Sequence, residues 1–207
     1  MFGIVTEISV IPSEEDLLMV TMFLVALATG NRVSEIHALL RGSDYVEFCD
    51  EGVRLYTNPN FLAKNESPAF RKEPIFISKL FNTNGSVHPL CPVVKLQEYL
   101  RLTSSSTSVK LFVNPLTLRD LSLFKIRFFL CKFIRIAEPE SFPKTHDLRK
   151  YASSFAFFRG MRVEDICNLV GWASFRVFKK HYLKSITEIK SAIVVLGSSF
   201  PGSRKDI

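Results

Sequence analysis

His146 and Arg149 stand three residues apart in the run THDLRK, so on a helix their side chains leave one face. A guanidinium forks onto two phosphate oxygens, and an imidazole beside it can donate a further hydrogen bond or move a proton. Far upstream, in TGNRVSE, Arg32 follows a break at Thr29-Gly30-Asn31 and opens a helix, where backbone N–H groups also favour an anion. Glu35, three residues on, is placed to pair with Arg32 and hold it. Downstream, Gly171-Trp172 makes a turn that presents the only indole, an N–H donor. Tyr182 then sits in FKKHYL. A tyrosine hydroxyl, with its ordinary pKa of about 10, is a poor nucleophile at neutral pH. Lys179, Lys180 and His181 make its surroundings electropositive, which favours phenolate character and the approach of phosphate. Each residue also has a plain structural reading. His-x-x-Arg can be a solvated helix start, Arg32 a surface charge, Trp172 a filler of the core, and Tyr182 a helix-terminal ring with its hydroxyl in water.

The elements that must position these groups can be read from pattern and punctuation. Ser13 followed by Glu14-Glu15-Asp16 is a helix start, and the helix Glu14–Ala28 is apolar almost all round, as a central core helix is. A second helix is predicted over Arg32–Leu40. Asp44–Phe48 and Gly52–Thr57 alternate in strand fashion around a hairpin turn at Cys49–Gly52, and Pro74–Ser78 supplies a third strand. Lys64 lies in the turn-rich connector before that strand. Pro92 opens a helix over Val93–Leu102, Leu111–Val113 is a short extended piece, and Leu121–Ala137 is a long amphipathic helix. Thr145 is the expected cap of a helix running to about Arg159. Helices over Val163–Val170, Phe175–Tyr182 and Ile186–Leu196 complete the chain, and residues 197–207 are a polar tail. The fold class is α+β: mainly helical, with a small three-stranded antiparallel sheet.

Composition narrows the partner. The net charge is +7 and 47% of residues are apolar, which describes a globular basic protein suited to a polyanion. The charge is concentrated. Between Phe142 and Lys190 ten Lys/Arg face four Asp/Glu, so this quarter of the chain holds nearly all the excess. Cys49, Cys91, Cys131 and Cys167 show neither Cys-x-x-Cys nor zinc-ligand spacing and read as reduced, mostly buried thiols of an intracellular protein. The apolar run Leu17–Thr29 is too short to span a bilayer. No membrane partner is expected, and the cytoplasm, or the nucleus in a eukaryote, is the expected compartment.

Taken together and in order, TGNRVSE, HDLRK and GWASFRVFKKHYL resemble the catalytic domain of the tyrosine recombinase (phage-integrase) family over roughly Glu14 to Leu183. Trp172 stands where most members have His and some have Trp. The spacing that puts Tyr182 ten positions after Trp172, with FLAKNESPAFR and HPLCPVVKLQEYL, looks most like recombinases of DIRS/Ngaro- and Crypton-type mobile elements. The resemblance implies that Tyr182 attacks a DNA phosphodiester to form a 3′-phosphotyrosyl link. It implies that Arg32 and Arg149 clamp the non-bridging oxygens, that His146 assists proton transfer or hydrogen bonding, and that Trp172 donates a hydrogen bond. Lys64 is the matching candidate for the lysine that protonates the leaving 5′-oxygen, with Lys72 as runner-up. Glu35 and His181 are expected to support the site, and Lys150, Lys179 and Lys180 to contact DNA phosphates. No metal or other cofactor is implied, because the covalent link stores the bond energy. The implied partners are double-stranded DNA and further copies of the chain, as a tetramer on two duplexes.

The same reading divides the chain into an N-terminal remnant (1–13), the catalytic domain (14–190) and a C-terminal tail (191–207). Family members usually carry a separate N-terminal DNA-clamping domain, so the expectation here is a catalytic domain alone. Two other functions fit the same residues: a truncated or domesticated recombinase that binds DNA without cutting, and a type IB topoisomerase-like activity.

Overall fold

The computed structural model describes residues 13–64, 66–67, 69, 74–137, 140, 142–172, 176 and 178. Its centre is helix α1, Glu14–Thr29. Ser13 caps it: the Ser13 hydroxyl accepts from the Asp16 N–H at 3.2 Å, and the Asp16 carboxylate accepts from the Ser13 N–H at 3.1 Å. Every residue from Leu18 to Ala26 is buried, because helices and the sheet pack on all sides of it. Gly30 ends the helix in the left-handed region, at φ 59°, with its N–H on the Ala26 carbonyl. The next helix in space leaves no room for a side chain there. A Cβ on Gly30 would lie 2.7 Å from Val170 Cγ1 and 3.7 Å from the Ala152 Cβ.

Helix α2 covers Val33–Ala38 and is shorter than the expected Arg32–Leu40. Leu39 and Leu40 leave the helix because their backbones bridge to Thr57 and Lys110, which buries both side chains. Strands β1 (Val46–Phe48), β2 (Gly52–Leu55) and β3 (Ile75–Ser78) form an antiparallel sheet in that order. The strands are shorter than expected at their outer ends, since Tyr45 is held in a turn by Gly42 and Thr57 pairs with Leu39 instead. Register sets Val46 against Leu55 and Val53 against Ile77, all four buried against the core. Glu47, Arg54 and Phe76 line up on the outer face, where the Arg54 guanidinium lies over the Phe76 ring at 5.7 Å. Gly52 is needed at the hairpin because a Cβ there would lie 2.1 Å from the Ile77 carbonyl oxygen.

Helix α3 (Pro92–Leu102) starts on its proline, as expected. Its Tyr99 is fully buried. The hydroxyl donates to the Val113 carbonyl at 2.8 Å and accepts from the Val113 N–H at 2.7 Å, pinning the extended piece Leu111–Val113. Burial pushes this phenol up to about 12, so it stays a neutral crosslink. Helix α4 (Leu123–Ala137) buries Ile126, Phe129, Leu130, Phe133 and Ile134 as one stripe, with Phe133 stacked on Phe23 of α1 at 4.3 Å. Helix α5 spans Thr145–Phe158. Its cap differs from expectation. Thr145 is already helical, and the turn is closed by the Asp147 carboxylate accepting from the Lys144 N–H at 2.8 Å. Helix α6, Val163–Val170, has the predicted bounds and ends on Gly171 at φ 63°. A second, smaller core joins α5 and α6: Ile166, Cys167 and Phe178, flanked by Phe157, Val163 and Trp172.

All four cysteines are free, two of them buried and two half-buried. Among the described residues no helix is long and apolar enough to cross a membrane. Arg176 and Phe178 are helical, and the rest of the predicted helices Phe175–Tyr182 and Ile186–Leu196 falls outside the described residues.

Candidate functional site

The turn before α2 and the first turn of α5 face each other across a cleft of about 280 Å³. It is lined by Asn31, Arg32 and Ser34 on one side, His146 and Arg149 on another, and Arg127 of α4. Arg32 and Arg149, more than one hundred residues apart in the chain, meet there around Glu35. Arg149 is 2% exposed and Glu35 3%. Glu35 Oε2 lies 3.6 Å from Arg149 Nη1 and 3.8 Å from Arg32 Nη1, and it accepts the Arg32 backbone N–H at 2.6 Å. One carboxylate thus holds two guanidiniums, and the group keeps a net positive charge in a poorly solvated place. An anion entering the cleft is attracted far more strongly there than it would be in water. Two buried donors on this wall, Arg32 Nη1 and Asn31 Nδ2, have no hydrogen-bond partner among the described residues. Phosphate oxygens would satisfy both.

Trp172 reaches the site from the turn after α6. Its ring lies 5.7 Å from the Arg149 guanidinium carbon and 5.9 Å from the Phe178 ring, so the indole is a lid on the back of the arginine. Its backbone N–H donates to the Cys167 carbonyl at 2.8 Å, which fixes the turn.

His146 sits at the cleft mouth. Burial, and then the charges of Arg149, Lys150 and Arg32, lower its pKa below the ordinary histidine range, against the pull of Asp147. The imidazole is therefore neutral at pH 7, with one nitrogen to donate and one to accept. A histidine whose folded-state pKa is lowered binds fewer protons than in the unfolded chain, so its contribution to stability falls as pH drops through the unfolded value of about 6.5. The His146 resonance is expected to titrate below that value. Acidification from pH 7.5 to 5 is expected to cost the wild type more stability than His146→Asn in paired urea titrations; equal pH dependence would refute this.

The other sequence candidates are spread differently. Lys150 is half-exposed and paired with Asp147 at 2.9 Å. Lys64 is exposed in the β2–β3 connection and does not line the arginine cleft. It follows Ala63, which borders a separate cavity of about 250 Å³ with Phe61 and Glu66. That cavity shares one wall residue, Asn31, with the cleft, and its wall includes Glu35. Lys72, Lys179, Lys180, His181 and Tyr182 lie outside the described residues. Sequence reasoning missed Arg127 and Asn31, and it gave Glu35 only one of its two arginines. Arg127 carries no motif, and its one signal is that α4 contains four basic residues and no acidic one.

The arrangement can be set beside solved structures. XerH site-specific recombinase, bound to a palindromic difH substrate in a post-cleavage complex, superposes with a TM-score of 0.60 at 12% identity, over 87% of this chain and 47% of XerH. Its pre-cleavage complex with difH gives the same figures. XerA recombinase gives 0.57 at 18% identity, over 86% of this chain and 62% of XerA. The fold is that of a tyrosine recombinase catalytic domain. This chain spans about half the length of XerH. At the level of sequence, no protein-family model and no curated protein matches it. The recombinase-type fold agrees with the α+β expectation, including the three-stranded sheet between the first arginine and the His-x-x-Arg helix.

Proposed function

We propose that the protein is a DNA breaking and rejoining enzyme that works through a 3′-phosphotyrosyl intermediate. The observation that carries this reading is the cleft lined by Arg32, Arg149 and a neutral His146, its two arginines held by buried Glu35, on a recombinase fold. In the proposed reaction the Tyr182 oxygen attacks the phosphorus of a DNA phosphodiester and passes its proton to the free nitrogen of the neutral His146 imidazole. The bond to the 5′-oxygen breaks, and that oxygen leaves as a hydroxyl after taking a proton from Lys64. Attack by a 5′-hydroxyl on the phosphotyrosine reverses the exchange and reseals the strand. Arg32 and Arg149 hold the non-bridging oxygens, where negative charge accumulates in the transition state. His146, neutral before the step, donates one hydrogen bond from its N–H to the same phosphate, and Trp172 donates another. Lys150, Lys179 and Lys180 bind flanking phosphates, and His181 supports the nucleophile. The partner is duplex DNA. The assembly is a tetramer on two duplexes, in a mobile-element recombinase of the DIRS/Ngaro or Crypton type, acting inside the cell and, in a eukaryotic host, in the nucleus.

The test is covalent capture. A pool of nicked duplexes of randomised sequence loses the cut fragment on cleavage and traps the enzyme on DNA. Wild type is expected to give a denaturation-resistant protein–DNA band, and Tyr182→Phe none. If wild type retards duplex DNA in native gels yet forms no adduct, the cleaving reading fails and the protein is a DNA-binding one.

A further inference from the structure

Arg127 lines the same cleft as Arg32 and Arg149 but from the opposite element, α4. It differs from them in its electrostatic surroundings. Glu35, the buried carboxylate of the site, is committed to the other two arginines. Asp147, the next acid along, is committed to Lys150 and the Lys144 N–H. On α4 itself Lys125, Arg127, Lys132 and Arg135 have no acidic neighbour in the helix. Arg127 is exposed and makes no hydrogen bond or ion pair with the described residues. Solvated surface arginines are common, but this one points its charge at an anion cleft whose deeper cations are already organised. The space also exceeds one anion. At roughly 30 Å³ per water molecule, a cleft of about 280 Å³ is larger than the four oxygens of one phosphate fill.

We infer that Arg127 is a second phosphate seat, which binds the phosphodiester next to the one held by Arg32 and Arg149 and so sets the register of the strand in the cleft. This rests on the proposed function, since it assigns a neighbour to the phosphate that function requires. A planar guanidinium suits the task because it can fork onto two oxygens of one phosphate. Its seat is wetter than the first and therefore weaker, so it positions the strand while Arg32 and buried Arg149 bind the reacting group.

The test compares two minimal ligands by NMR titration at low salt: a thymidine dinucleotide with one phosphodiester and the trinucleotide with two. Wild type, Arg127→Ala, Arg127→Lys and the charge-matched control Arg101→Ala, on exposed α3 surface, are titrated in parallel. Arg127→Ala is expected to weaken the trinucleotide about fivefold and leave the dinucleotide unchanged. Arg127→Lys is expected to recover part of that loss, and Arg101→Ala to change neither affinity. Equal loss on both ligands, or no loss on the trinucleotide, overturns the second seat while leaving the first intact. If neither ligand shifts the Arg32, His146 and Arg149 resonances of the wild type, the proposed function itself falls and takes the inference with it.

Discussion

Arg149→Ala is expected to abolish adduct formation and to destabilise the fold at the same time. The catalytic loss follows from geometry. The guanidinium is one of two fixed cations aimed at the phosphate, and removal of one preorganised donor from such a site costs about 10²–10³ in rate. The stability loss follows from burial. Arg149 is 2% exposed and faces Glu35, itself 3% exposed, so its removal leaves a buried carboxylate short of a partner. Breaking a buried ion pair from one side costs about 3–5 kcal/mol. The Arg32 N–H at 2.6 Å stays in place, which sets the expectation at about 3 kcal/mol by urea titration. The stacking of the guanidinium on Trp172 is lost as well. Arg149→Lys separates the two effects. It keeps a charge for Glu35 and recovers much of the stability, but it lacks the planar fork and is expected to stay at least about 10²-fold slow. Wild-type adduct rates in either variant would remove Arg149 from the chemistry.

Glu35→Gln is the second large effect, and it runs through the arginines. The amide keeps the size of the carboxylate and removes the one negative charge between Arg32 and Arg149. Buried Arg149 and partly exposed Arg32 then lose the carboxylate they share, at an expected cost of about 2–3 kcal/mol at low salt. Because the excess charge is what destabilises the variant, added inorganic phosphate is expected to raise its melting temperature more than it raises that of the wild type. Adduct formation is expected to fall about 10²-fold, since the arginines lose the contact that orients them. Equal stability of Glu35→Gln and wild type in phosphate-free buffer would show that the carboxylate does not bind the pair together.

These two residues also mark where the sequence was legible and where it was not. Local signals carried far. Ser13 with its acidic first turn, the unbroken apolar run of α1 and the stop at Gly30 specify the central helix, because caps, burial and left-handed glycine are written within a few residues. The ends of α6 and the proline start of α3 were legible for the same reason. Competition between neighbours was not. Leu39 and Leu40 look helical until distant Thr57 and Lys110 claim their backbones. Thr145 looks like a cap until Asp147 reaches back to Lys144 first.

In the site, Arg32 with Glu35 was visible as an i,i+3 pair, and His146 with Arg149 as another. The closure of the two pairs on each other is a tertiary fact with no local signature. Arg127 was invisible because an exposed arginine on an amphipathic helix is ordinary until the helix is seen to wall a cleft. The resemblance supplied what local reasoning could not, namely that the two arginine motifs belong to one centre.

The tight seat at Gly30 has a mechanical meaning for the whole chain. The turn that carries Asn31 and Arg32 rests directly on Val170, the last residue of α6, with no side chain between them. One residue later the chain turns at Gly171 and delivers Trp172 to the back of Arg149. The turn after α1 and the end of α6 are thus keyed together like a tenon in a mortise. A side chain at position 30 would push α6 and the Arg32 turn apart, and Trp172 follows directly on that helix. One close contact thus ties the position of the Arg32 turn to that of the indole behind Arg149.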